Sequence, residues 1–197
     1  MTHSTDIHGR LHAFRDDALG TDDATGLAER LRAGDLHPAE AMQAALDRIA
    51  TVEPTLGAFA HTDFDRALDR ARALGDRLRA GDALPSLAGV PSAFKDNITV
   101  GGNPTTMGSD AVNAVPATTD GAVATELSAT GIIPVGMTNT PPFGWTAATE
   151  RQGGRMARNP WHTSRTPGGS SGGAAALVAS GALPIAHAND GGGSVRI

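Results

Sequence analysis

Leu87-Ala88-Gly89-Val90-Pro91-Ser92-Ala93-Phe94-Lys95 reads as a short buried strand running into a loop. Asp96-Asn97 turns the chain towards Ile98-Thr99-Val100. From Leu84 onward such signals alternate. Thr119 or Asp120 can cap a helix through Thr130, with Gly131 as its stop. Ile132-Ile133-Pro134-Val135-Gly136 is a buried strand pattern, and Pro141 to Pro167 is rich in loop residues and holds Trp145 and Trp161. Ser171 to Ser180 is small and apolar enough for a tightly packed helix, and Leu183 to Ala188 reads as another strand. Alternating helix and strand predict an α/β layered fold with a largely parallel sheet.

Before Leu84 the pattern is helical. Leu27 and Leu31 share a face between Asp22 and Gly34. Pro38 suits a first helical position, after which Met42, Leu46 and Ile49 repeat until Pro54. Phe64, Leu68, Leu74 and Leu78 line one side of Asp63 to Gly81. The expected organisation is an N-terminal helical region over 1–83 and a catalytic-type core over 84–197.

Composition narrows the function. The chain has 197 residues, 40% hydrophobic and 19% charged, enough apolar content for a core. A net charge of -5 without a basic stripe argues against nucleic acid. Cysteine is absent, which excludes disulfides, thiolate metal sites and a cysteine nucleophile. The first fifteen residues lack an apolar signal region, and Ala174 to Ala188 is too interrupted to span a bilayer, so the expectation is a soluble, cytoplasmic chain. The seven histidines show no ligand spacing beyond His8 and His12, so no metal and no cofactor are expected.

One count stands out. Every cation but Lys95 is an arginine. Arginine keeps its proton at working pH, whereas a buried lysine can lose it and act as a base. Two further segments can carry chemistry. Pro167-Gly168-Gly169-Ser170-Ser171-Gly172-Gly173 offers backbone N–H groups before a helix. It fails the P-loop pattern, because Ala174 follows Gly173, and the G-x-G-x-x-G pattern, because Ser170 takes the second glycine position. It fits G-x-S-x-G around Ser170 and around Ser171, but the acid-then-histidine order of that fold is absent downstream. Asp190-Gly191-Gly192-Gly193-Ser194 can aim successive N–H groups at one spot beside a serine.

Taken together, Lys95-Asp96-Asn97, Gly168 to Gly173 and Asp190-Gly191-Gly192-Gly193-Ser194-Val195-Arg196 resemble the amidase signature family. Spacings of 75 residues from Lys95 to Ser170 and 24 from Ser170 to Ser194 agree with it. Gly89-Val90-Pro91, Gly136, Thr138-Asn139 and Asn159-Pro160-Trp161 are lesser matches. The resemblance implies an α/β/α fold around a mixed central sheet. It implies Ser194 as nucleophile and acyl-enzyme, Ser170 as the bridging serine on a cis peptide bond, and Lys95 as base. Gly191, Gly192 and Gly193 become the oxyanion hole, with Ser171, Asp190 and Arg196 as structural support. Asn189, Gly191, His187, Met137 and Pro142 depart from the usual residues of the family.

Family members are commonly more than twice this long, so the resemblance implies a chain truncated just past the nucleophile. The expected function is hydrolysis of a small-molecule carboxylic amide to acid plus ammonia or amine. The alternatives are the glutaminase subunit of a tRNA-dependent amidotransferase and an inactive fragment or amide-binding module. A homo-oligomer stays open.

Overall fold

The computed structural model describes residues 10–151, 153 and 156–197. His8 and the start of the terminus lie outside the described residues. Among the described residues, five α-helices and three strands follow in the order α1 (Ala24–Ala33), α2 (Pro38–Leu56), β1 (Phe59–Thr62), α3 (Phe64–Arg79), β2 (Pro91–Lys95), α4 (Ala122–Ala129), β3 (Ile133–Thr138) and α5 (Gly172–Ala179).

The helices start and stop where the side chains direct. Asp23 accepts the N–H groups of Thr25 and Gly26 at the head of α1, and Gly34 closes it in the left-handed region. His37 and Glu40 form a reciprocal cap on α2 ahead of Pro38. Pro54 does not end that helix. It sits in the last turn, and the chain leaves only at Gly57, whose φ is 57°. The N-cap of α4 is Gly121, not Thr119 or Asp120. The Asp120 carboxylate accepts instead from the N–H of Gly101 at 2.6 Å.

The sheet runs β1-β3-β2. β2 pairs with β3 in parallel, and β1 pairs with β3 antiparallel, so the sheet is mixed. The reading of a purely helical first third misses β1, a four-residue edge strand without apolar alternation. β2 and β3 are buried along their whole length, as continuous apolar strands require. Helices α2 and α3 pack together against one face, with Leu27, Met42, Ile49, Leu56, Phe94 and Met137 in the core.

The strand expected over Leu183 to Ala188 does not form. The His187 N–H reaches Ala93 O at 2.8 Å beside β2. The next donor, the Lys95 N–H, is taken by the His187 ring Nδ1 at 3.3 Å. Pro184 has no N–H to give. The segment therefore runs beside β2 without a ladder.

Arg48 ties the start of the described chain to this frame. It is 3% exposed and donates to both Asp17 carboxylate oxygens and to the carbonyls of Arg15, Gly20 and Gly181.

At Gly173, helix α5 approaches the neighbouring backbone without room for a side chain. A Cβ on Gly173 would stand 2.4 Å from Ala58 O and 2.6 Å from Asn139 N, both backbone atoms. Gly173→Ala is expected to lower the unfolding free energy by about 1–3 kcal/mol, read as a fall in urea midpoint. An unchanged midpoint would show that α5 does not dock this closely.

Candidate active site

Lys95 is the last residue of β2, opposite Thr138 of β3. Its position on a doubly buried strand leaves it 1% exposed. Burial disfavours the ammonium and pushes Lys95 down to about 8. Among the described residues no carboxylate lies within ion-pair distance of it. Its Nζ is surrounded by neutral oxygens instead. Asn189 Oδ1 is 2.7 Å away, Ser170 Oγ 2.8 Å, Ser171 Oγ 3.0 Å and Ser194 Oγ 3.3 Å. Ser194 Oγ is in turn 3.1 Å from Ser170 Oγ and 2.6 Å from Ser171 Oγ. The structure thus gathers Lys95, Ser170, Ser171 and Ser194 from three distant stretches into one hydrogen-bonded cluster.

The two serines come from the turn before α5. The Gly169–Ser170 peptide bond is cis. Ser171 stands at the N-cap of α5, yet makes no capping bond. Its hydroxyl turns towards Lys95, Ser194 and the Asn189 carbonyl. Threonines fix the backbone of the turn: Thr140 Oγ1 donates to Ser170 O at 2.9 Å and Thr149 Oγ1 to Gly168 O at 2.9 Å. Thr149 also accepts the Gly172 N–H at 3.1 Å. Neither threonine is legible as a site residue in the sequence, because each acts through a backbone carbonyl far away along the chain.

Asp96, adjacent to Lys95, points away from the cluster and is fully buried. Its carboxylate accepts from the Thr106 N–H at 2.7 Å, the Thr106 hydroxyl and the Gly108 N–H at 3.3 Å. Arg151 faces it at 3.9 Å and bonds Thr106 at 2.7 Å. The loop after β2 is therefore anchored to the residue that follows the lysine. Arg151 has no signal in the sequence, since a lone arginine in a loop-rich stretch carries no pattern.

The glycine loop is held from one side. Asp190 accepts from the Gly193 N–H at 2.6 Å and the Val195 N–H at 3.3 Å. Arg196 completes it with two bonds of 2.8 and 2.9 Å. Arg196 and then the Gly193 N–H hold the Asp190 carboxyl well below the usual range. The three glycines consequently differ. The N–H of Gly193 is committed to Asp190, whereas those of Gly191 and Gly192 have no acceptor among the described residues.

A cleft of about 630 Å³ opens over this cluster. Lys95, Ser170, Ser194, Gly191 and Gly192 form its floor. Phe143 and Trp145, 53% and 86% exposed, belong to its wall. Phe143 takes a φ of 55° and Gly144 one of 71°, which turns this wall over Ser170. His187 lies beneath, its ring edge-on to Phe94, and burial followed by the Lys95 charge lowers its pKa. Among the described residues no group of three or more His, Asp or Glu could hold a metal ion, and no helix is long and apolar enough to cross a membrane.

Known proteins share this arrangement of sequence and fold. The family model "Amidase" matches residues 40–197. The chain is 44% identical over 188 residues to "Putative amidase AmiC" of Mycobacterium tuberculosis strain H37Rv, covering 95% of this chain and 38% of that protein. It is 44% identical over 173 residues to a glutamyl-tRNA(Gln) amidotransferase subunit of Acidothermus cellulolyticus, covering 88% of this chain and 34% of that one. The crystal structure of a bacterial aryl acylamidase of the amidase signature family superposes with a TM-score of 0.83 at 33% identity, over 89% of this chain and 36% of that chain. The chain therefore spans between a third and two fifths of the length of these relatives. With a matched family model over most of its length and the same fold, the chain belongs to the amidase signature family.

Proposed function

We propose that this chain carries the catalytic triad of an amidase that hydrolyses a small-molecule carboxylic amide to an acid and ammonia or an amine. The observation that supports it best is the buried Lys95, without a carboxylate partner and 2.8 Å from Ser170 Oγ, which is 3.1 Å from Ser194 Oγ. Neutral Lys95 takes the proton of Ser170, which takes that of Ser194 as Ser194 attacks the amide carbonyl. The C–N bond breaks when the relay returns a proton to the leaving amine. Water then attacks the Ser194 ester, and the same groups move its proton. The free N–H groups of Gly191 and Gly192, with that of Ser194, stabilise the oxyanion. Asp190 and Arg196 hold the glycine loop through Gly193 rather than leaving that N–H to the oxyanion.

A second reading shares every one of these roles. The 44% identity to a glutamyl-tRNA(Gln) amidotransferase component favours a glutaminase that hands its ammonia to a partner. Ammonia release from simple amides by the protein alone supports the free amidase. Release only with a partner supports the glutaminase.

The first test is a fluorophosphonate adduct located by peptide mapping. The expected site is Ser194. An adduct on Ser170 or Ser171 overturns the assigned nucleophile. Lys95→Ala and Lys95→Arg are expected to slow labelling at least about hundredfold, because a missing base and a permanently charged one are equally unable to accept the proton. The labelling rate should rise with pH through about 8 and level off above it. A rate independent of pH between about 6 and about 9.5 would exclude Lys95 as base.

The depressed lysine also sets how stability varies with pH. In the unfolded chain Lys95 titrates near about 10.4, and in the folded chain at about 8. Between these values the unfolded state binds more protons, so stability rises with pH through that window. Lys95→Met should flatten this rise in urea titrations. A slope that survives the substitution would assign it to other groups.

A further inference from the structure

Four oxygens surround Lys95 Nζ, and three of them belong to hydroxyls that can either donate or accept. Asn189 Oδ1, at 2.7 Å, can only accept. The backbone carbonyl of the same residue accepts the Ser171 hydroxyl at 3.3 Å. These two contacts constrain where hydrogens go. Charged Lys95 has three N–H groups, and they match the three shortest contacts, to Asn189, Ser170 and Ser171. When one proton leaves, two N–H groups and one lone pair remain. Asn189 Oδ1 has no hydrogen to offer a lone pair. Ser171 has two acceptors for its one hydrogen, Ser194 Oγ at 2.6 Å and the Asn189 carbonyl at 3.3 Å, and neither is the lysine. Both positions therefore demand an N–H from the lysine. Ser170, whose hydrogen otherwise points to Ser194 Oγ at 3.1 Å, is the nearest hydroxyl left to turn it towards the nitrogen.

We propose that Asn189 is the positioning residue of the relay: its side-chain and backbone carbonyls together aim the lone pair of neutral Lys95 at Ser170. This rests on the reading of Lys95 as base. The charged groups nearby do not compete for the role. Asp190 is committed to Arg196 and the glycine loop, Asp96 faces Thr106 and Arg151, and the His187 ring meets the Lys95 backbone rather than Nζ. In the sequence Asn189 stands out only as a departure in front of Asp190.

Because Lys95 is the sole lysine, lysine labelled with ¹⁵N at Nζ gives one side-chain resonance whose titration reports this group alone. Two variants separate positioning from mere support. Asn189→Asp keeps the shape and a pure acceptor but adds a charge. Its lysine midpoint should move up by about one pH unit or more. Asn189→Leu removes the acceptor, and its midpoint should move down. Fluorophosphonate labelling of Ser194 is then followed across pH. Asn189→Asp should regain a rate near that of the native chain once pH exceeds its own raised midpoint. Asn189→Leu should stay at least about tenfold slow at every pH. A structural role would make the two variants behave alike, and that outcome overturns the proposal. Midpoints unchanged in both variants also overturn it, whether or not Ser194 reacts. Shifted midpoints in a chain whose Ser194 takes no label would uphold the Asn189–Lys95 coupling while removing the nucleophile reading. Should Asn189→Leu fail to fold, the isosteric Asn189→Asp titration decides alone.

Discussion

An amine has been taken out of water in this protein without a counter-ion. Lys95 meets hydroxyls and an amide where a buried lysine usually meets a carboxylate. A carboxylate beside Nζ would favour the ammonium and leave no base at neutral pH. The hydroxyl shell satisfies hydrogen bonds in either protonation state, so proton gain and loss leave no donor or acceptor stranded. Much of the surrounding structure serves that condition: a doubly buried strand to carry the lysine, a cis turn and a tightly docked helix to present two serines, and a glycine loop to return the third.

Lys95 and Asp96 show how neighbouring residues of opposite charge are kept apart. The strand ends at Lys95 and the chain turns at Asp96. Asp96 is thereby turned into a separate network with Thr106, Gly108 and Arg151. The acid anchors the loop after β2 without neutralising the base next to it. Asp190 repeats the pattern at the other end of the site, where Arg196 and the Gly193 N–H absorb its charge. Both carboxylates closest to the cluster in sequence are thus withheld from the lysine by partners of their own.

The chemistry is more legible in the sequence than the architecture around it. Lys95 announces itself as the only lysine among arginines, and the two glycine-serine segments by composition. The buried runs of β2 and β3 read directly, as does the helix stop at Gly34. β1 does not, because four residues at a sheet edge carry no periodicity and gain their conformation only by pairing with β3. The segment from Leu183 to Ala188 has the composition of a strand, but a histidine ring intercepts the donor that a ladder needs. Thr140, Thr149 and Arg151 escape notice for a related reason. Their partners are backbone carbonyls or a distant carboxylate, and only the fold brings these within reach.

Removing a proton from an ammonium absorbs heat, whereas removing one from a carboxylic acid absorbs almost none. A cluster built around an amine and shielded from carboxylates therefore responds to temperature as well as to acidity. At a fixed pH near the midpoint of Lys95, warming enlarges the fraction that carries a free lone pair. The buried amine makes the site its own thermometer, with no movement of the backbone required.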